Sequence, residues 1–467
     1  MRGVEPSERR LLVWLFVASA AALLTVQAGA ITVSDGFVMY RTTEVMVEHG
    51  TFDLAQPVED QSGPTELGRH GQAVSKYGIG LPLVSIPFYV VAKPLAKAGP
   101  GGSEDKVYQA VVASAMPLIC AALVVALYVF ARRLGSGRRW ALLASAGGFA
   151  GTFLLPYSKS FFSEPLVALG LVVAFERALA RRPGWSALGL AVAIVTRPQS
   201  LVLLPLLAFV WWRRNGARGL VGASAPLAAA AAIVAFYNWA RFGSILEFGY
   251  GGEGFTTPLL TGARGLLIDH RASVLLFAPV LAVAPWALAR LWRRDADAAV
   301  LLAGNFVVTF VMTATWWSWA GGWSWGPRLL IPAVAPLIPA VAPWAQERAR
   351  RGRAVAALLA IGFVVSAPAM LVSQRAQQLD GSPVGPAVVR QYELIGSTTS
   401  RTLRDVSARA DGDSRRYLDL WQFNAAAVGG APGALGAVAG TLVLASLSLF
   451  AGRAAVRALR AGGDSVV

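Results

Sequence analysis

The chain has 467 residues, 55% of them hydrophobic and only 15% charged, with a mean hydropathy of +0.54 and a formal net charge of +16. A water-soluble domain of this length carries nearer a quarter charged residues, so a soluble fold is excluded. The net charge would point to nucleic acid in a soluble protein; here its distribution points elsewhere.

Continuous apolar runs, most of them long enough to cross about 30 Å of hydrocarbon but 185–196 and 199–212 each too short for an untilted span, predict helices near 11–33, 107–131, 139–156, 164–180, 185–196, 199–212, 219–240, 272–291, 298–317, 328–345, 354–372 and 431–452. The expected fold class is therefore an all-α integral membrane protein, a polytopic bundle of about 10–12 transmembrane helices whose outer loops carry short amphipathic helices. The first run follows Arg9 and Arg10 and ends near Ala28 and Ala30, in the manner of a signal peptide, but it exceeds a signal core and reads as an uncleaved first span. The single Cys120 falls inside a span and carries no redox information. With the N-terminus inside, the inner segments hold 23 Arg and 7 acids, and the outer segments hold 14 Arg and 5 Lys against 19 acids. All the net charge thus falls on one side. Arg and Lys near span ends set orientation, which predicts a multi-pass protein of the cell membrane with both termini cytoplasmic. A basic inner face beside anionic lipid needs no nucleic-acid partner.

The outer segments carry the candidates for chemistry. Ser34-Asp35-Gly36 stands where the first helix leaves the membrane; position alone favours Asp35 as the cap of a helix over 36–49, with a functional acid as the alternative. Next comes Gly68-Arg69-His70-Gly71-Gln72-Ala73-Val74-Ser75-Lys76-Tyr77-Gly78, ahead of an apolar, interfacial-looking stretch at 79–91. Lys76 there is a compact phosphate donor, and Tyr77 a headgroup-level anchor; snorkelling and belt anchoring are the plainer reading. The five Lys lie between 76 and 159, against the positive-inside trend, which favours a role for Lys76 and Lys159. In the short loop 157–163, Lys159 precedes Ser163-Glu164-Pro165, where Glu164 suits a helix start and its dipole, or faces a cavity as a functional acid.

The segment 185–212 breaks at Thr196-Arg197-Pro198 and is flanked by Arg on both sides. A helical hairpin with Arg197 near its tip keeps both flanks inside; one kinked helix would invert everything downstream. Further on, Tyr237-Asn238-Trp239-Ala240-Arg241, with Glu247 and Glu253, leads towards a turn that holds five Trp between Trp316 and Arg328, including Trp323 and Trp325. Flat aromatic faces suit sugar rings or lipid, and Arg suits bidentate phosphate contact. A short amphipathic helix is expected near 386–394. The three histidines show no zinc spacing, no Gly-rich nucleotide loop opens a helix, and no cofactor is expected.

The order of Asp35, Ser75-Lys76-Tyr77-Gly78 with Pro82 and Pro87, Ser163-Glu164-Pro165, Thr196-Arg197-Pro198 and Gly326-Pro327-Arg328 resembles the GT-C superfamily of membrane glycosyltransferases. It is most similar to the family 39-like bacterial branch related to protein O-mannosyltransferases and aminoarabinose transferases, up to about residue 345. The resemblance implies an inverting enzyme. Its donor would be a polyprenyl-phosphate-linked sugar on the outer face, and its acceptor a hydroxyl on an envelope glycan, lipid or protein. It implies Asp35 as the base and Glu164 as the second acid. Lys76, Tyr77, Lys159, Arg241 and Arg328 would surround the donor phosphate, and His70, Glu247, Trp323 and Trp325 the rest of the substrate. Relatives with two adjacent acids differ from Asp35-Gly36, and their Pro-Pro after the lysine is Tyr77-Gly78 here. The expected organisation is a catalytic module over 1–372 with its first outer loop at 34–106, an outer segment 373–430, and a last span and tail over 431–467. A transporter or lipid-linked-sugar flippase is the alternative; the clustering of polar groups on one face and the lack of a visible repeat argue against it.

Overall fold

A computed structural model gives the fold and describes residues 5–54, 65–99, 101–322, 324–372, 393 and 419–461. Of the amphipathic helix expected near 386–394, all but Glu393 lies outside the described residues. The fold is mostly helical. Helix α1 (Pro6–Thr25) is followed by α2 (Ser34–His49), then by three short strands, β1 (Asp53–Leu54), β2 (Thr65–Leu67) and β3 (Ala73–Ser75). The strands form an antiparallel sheet in the order β1-β3-β2, with Val74 opposite Asp53 on one side and Glu66 on the other. Strands of two or three residues leave no alternation to detect, so this sheet was not expected. The stretch read as interfacial is the 19-residue helix α3 (Gly80–Ala98), which is long and apolar enough to cross a membrane.

Helices α4 (Glu104–Ala113) and α5 (Ala115–Arg133) are nearly continuous, with a break at Ser114. The span expected at 139–156 is instead broken. Helix α6 (Arg138–Leu142) passes into a π-helical turn at Leu143–Gly147, then α7 (Gly148–Ala150) and a 3-10 turn at Leu155–Ser158. Helices α8 (Glu164–Leu179), α9 (Pro183–Thr196), α10 (Leu204–Asn215) and α11 (Ala217–Phe242) follow. The hairpin reading of 185–212 matches what is observed: the Trp211 indole donates to the Ser186 hydroxyl at 2.9 Å, and Arg214 donates to the Leu179 carbonyl at 2.8 Å. The far end of α10 therefore returns to the start of α9, leaving Arg197 at the turn.

Beyond α12 (Leu259–Ile268), α13 (Val274–Phe277), α14 (Ala284–Trp292) and α15 (Ala296–Thr315), proline again shapes the chain. The run 328–345 contains Pro332, Pro336, Pro339 and Pro343, each lacking a backbone donor. It alternates 3-10 turns with α16 (Ile331–Leu337) and α17 (Val341–Ala345), and it is almost wholly buried in the bundle centre. Last come α18 (Ala349–Ser366) and α19 (Trp421–Ala461), the latter broken at Gly430 and packed along α1. Seven helical segments among the described residues are long and apolar enough to span, and shorter apolar helices fill in between them. Apolar faces of α11 and α19 stay uncovered, with Val221 and Leu435 both 73% exposed. Such faces are stable against hydrocarbon rather than water.

The ends of the bundle differ. At one, Arg138 holds Glu8 and Glu5, Arg133 holds Glu176, Arg214 holds Asp297 and Arg290 holds Glu347. The other end of α8 carries Glu164. That helix is aligned by a backbone-to-backbone crossing: a side chain at Gly170 would start 2.7 Å from the Gly189 carbonyl oxygen, and one at Gly189 2.6 Å from that of Gly170. Close helix contact through small residues is the usual packing mode in lipid. Because α8 begins at Glu164 and α9 ends at Arg197, this crossing sets how the two groups meet. Gly189→Leu should cost about 1–3 kcal/mol of overpacking and lower the thermal midpoint in detergent, whereas Leu188→Ala, at a position that is 45% exposed, should leave it nearly unchanged.

Candidate active site

Five turns converge at the Glu164 end of α8. Glu164 is wholly buried at the start of that helix, and its carboxylate lies 2.9 Å from Arg197 Nη2 and 3.4 Å from Arg328 Nε. Arg328 reaches on to Asp35, with Nη1 2.8 Å from Oδ2, and lies over the Phe162 ring at 4.1 Å. Arg197 also donates to the Ser163 hydroxyl at 3.1 Å. The result is an alternating chain of charge: Asp35, Arg328, Glu164, Arg197.

Local sequence explains why each member is there. Pro198 forces Arg197 out of the helical region, to φ −143° and ψ 101°, so α9 stops and the guanidinium is delivered at the turn. Gly78 lets its loop lie on the end of α9; a Cβ there would stand 2.4 Å from the Thr196 carbonyl oxygen. Gly36 does the same for α2, where a Cβ would meet the Phe161 carbonyl oxygen at 2.4 Å. Asp35 is not a cap: the N-cap of α2 is Val33, and the Asp35 carboxylate instead accepts from Arg328 and from the Tyr77 hydroxyl.

Burial by itself would raise the Asp35 pKa. The charge and hydrogen bond of Arg328, the Tyr77 hydrogen bond and the charge of Arg197 outweigh it and hold the carboxyl below the ordinary range. Tyr77 moves the other way, its phenol pushed up first by burial and then by the Asp35 charge it donates to. A depressed carboxyl pKa adds stability above the unfolded-state value, and that stability is lost as pH falls through the folded value. The Asp35 contribution is therefore intact at neutral pH and disappears only in acid below the normal carboxylate range.

Other expected site residues are engaged elsewhere. Lys159 is buried, 3.1 Å from the Asp419 carboxylate, and donates to the carbonyls of Met370 and Asp419 at 3.1 and 2.6 Å. Burial pulls its ammonium below the ordinary pKa against the opposing Asp419 charge; with its donors spent on structure, it does not reach the site network. Arg241 is likewise committed, to the carbonyls of Ser75 and Tyr237 and to Asn238, and is stacked over Tyr237. Trp325 is core, packed with Ala369 and Val372, and its carbonyl accepts from the Tyr157 hydroxyl at 3.0 Å. The tryptophans do not form one platform, since Trp319 packs on Gly265 and Trp317 is half exposed; Trp323 lies outside the described residues. His70 and Glu247 are exposed, in backbone turns with Gln72 and Gly249.

Lys76 does stand beside Tyr77, but it is ion-paired at 2.5 Å with Glu253. Residues that the sequence left without a role here are Arg197, whose signal was the Arg-Pro break, and Tyr250. Burial and the charges of Glu253 and Asp35 raise the Tyr250 phenol against those of Arg197 and Arg241, which places it within electrostatic range of the network.

No protein-family profile and no curated protein matches the sequence. Solved structures do match the fold. The apo structure of ArnT from Cupriavidus metallidurans aligns over 96% of this chain and 75% of its own, with a TM-score of 0.51 at 13% identity. Its undecaprenyl phosphate complex gives a TM-score of 0.46 at 12% identity over 98% and 74%. The apo Archaeoglobus fulgidus oligosaccharyltransferase gives 0.49 at 12% identity over 89% and 60%. The chain thus has a GT-C-like fold.

Arg328→Gln should raise the protonation midpoint of Asp35, because it removes the charge and the hydrogen bond that hold the carboxyl down. Infrared detection of the carboxylic C=O band, assigned through Asp35→Asn, reads this directly; an unmoved band would mean that the Arg328 contact is not formed in solution. Lys159→Met should leave the Asp419 carboxylate buried and uncompensated, costing about 3–5 kcal/mol. Its effect should appear in thermal unfolding, and Lys159→Met/Asp419→Asn should recover part of the loss.

Proposed function

We propose that the protein is a glycosyltransferase that moves a sugar from a polyprenyl-phosphate donor to an acceptor hydroxyl, with inversion. The observation that carries the reading is the pairing of an ionised, water-accessible carboxylate, Asp35, with the cations Arg328 and Arg197 and nearby Lys76, in a GT-C-like fold. ArnT, whose fold this chain shares, has a structure bound to undecaprenyl phosphate.

In this reaction the bond from the sugar C1 to the phosphate oxygen breaks, leaving polyprenyl phosphate, while the acceptor oxygen bonds to C1 from the opposite face. The acceptor proton passes to Asp35. A carboxylate held below its ordinary pKa is a weak base, but it is ionised at neutral pH and its proton transfer comes late, when bonding to C1 has made the acceptor oxygen acidic. Lys76 and Arg328 stabilise the charge that grows on the leaving phosphate, in a site partly closed to water. Tyr77 orients Asp35. Glu164, with no access to solvent, acts as a positioning residue that holds two guanidiniums together, not as a second base.

Purified protein incubated with polyprenyl-phosphate-linked sugars and envelope acceptors tests the reading. Asp35→Asn should lower turnover about 10²–10⁴-fold with a small change in donor KM, and Lys76→Met should raise donor KM. Full turnover in Asp35→Asn would remove Asp35 from the role of base, and lipid-linked-sugar flux into proteoliposomes without transfer would favour a flippase.

A further inference from the structure

The pairing of Lys76 with Glu253 has no part in the reaction just described, yet it occupies the cation on which that reaction draws. Glu253 belongs to a strap, 243–258, that runs without regular structure from the end of α11 to the start of α12. Both ends of the strap are fastened by uncharged bonds. Near its start, Asn238 donates to the Ile245 carbonyl at 3.2 Å. Near its end, Trp317 donates to the Gly254 carbonyl at 3.0 Å, and Thr257 donates to the carbonyls of Thr315 and Trp316. Between these points the charged tie to the body is the Lys76–Glu253 pair.

The strap lies directly on Lys76. A Cβ at Gly249, where φ is +75°, would stand 3.3 Å from Lys76 Cα and 2.8 Å from the Phe242 ring. Lys76 is left 7% exposed, and Glu253 17%. An ammonium has three donors, but one this enclosed, with a carboxylate already against it, has no open side for a second anion. Two adjacent anions would also repel.

We propose that Glu253 is a built-in surrogate for the donor phosphate: it neutralises Lys76 while the site is empty and surrenders it to the incoming lipid-linked phosphate, the strap lifting with it. This rests on the reading of Lys76 as the donor-phosphate cation. The exchange is one charge-assisted hydrogen bond for another, so the resting pair spares the site a buried, unmatched ammonium. It also reduces apparent donor affinity by the fraction of molecules in which Lys76 is available. Glycines at 249, 251, 252 and 254 give the strap the backbone freedom to move, with Gly252 already at φ +82°.

Equilibrium binding of polyprenyl phosphate and of the uncharged polyprenol to purified protein in nanodiscs tests this, with thermal unfolding reporting that each variant is folded. Glu253→Gln should tighten polyprenyl phosphate about tenfold and leave polyprenol unchanged. Glu253→Ser, which shortens the side chain, should act in the same direction. Unchanged or weaker phosphate binding in these variants overturns the proposal, since Glu253 would then be neutral or a support for Lys76. If Lys76→Met weakens phosphate binding while both Glu253 variants match the wild type, the surrogate role fails and the reading of Lys76 stands. If Lys76→Met binds phosphate as the wild type does, the Lys76 reading fails and the surrogate role with it.

Discussion

A carboxylate with no access to water has to be matched where it stands, and Glu164 is such a group. Its burial is tolerable only because two guanidiniums meet it, and each arrives from a different part of the chain: Arg197 from the hairpin turn and Arg328 from the end of the tryptophan-rich loop. Asp35 is then held by Arg328, and Tyr77 by Asp35. The geometry of the site follows from one unexposed acid at a helix start, and the Gly170–Gly189 crossing that brings α8 against α9 serves that single requirement.

The same arrangement divides labour among similar side chains. Of the cations near this end, Arg197 and Arg328 face carboxylates within the network, Lys76 faces a carboxylate on a strap, Lys159 faces Asp419 and two backbone carbonyls, and Arg241 is spent on backbone carbonyls and Asn238. The charge at this end is thus oriented by the carboxylates it faces. Aromatic rings do the packing: Trp325 fills core, the partly buried Trp319 packs against the hydrophobic core, and Phe162 backs Arg328.

What could be read in the sequence was whatever is local. The apolar runs gave the helices, Arg on both flanks of 185–212 gave the hairpin, and the Asp35, Glu164 and Arg328 motifs marked turns that do converge. Non-local pairing was out of reach. Nothing in the vicinity of Lys159 announces Asp419, which lies 260 residues away, and nothing near Lys76 announces Glu253, 177 residues on. A lysine set apart from the positive-inside pattern was taken as functional twice, and in one case it is a buried structural tie. The stretch at 138–158 reads as a single span because its breaks leave the run apolar, whereas the proline-rich run 328–345 does keep the length and hydropathy of a span. The small sheet escaped because its strands are shorter than any periodicity.

The Lys159 tie bears on the order in which the molecule is made. As the chain emerges N-terminus first, the 157–163 loop is made long before Asp419, and before Trp421, which donates to the Leu24 and Gln27 carbonyls at and just beyond the end of α1. Until then Lys159 has no counter-ion, and the segment leading from α1 to Asp35 lacks its late neighbour. In order of synthesis the partners of Glu164 are all made once Arg328 is, whereas the partner of Lys159 comes only with Asp419, just ahead of the helix that begins at Trp421.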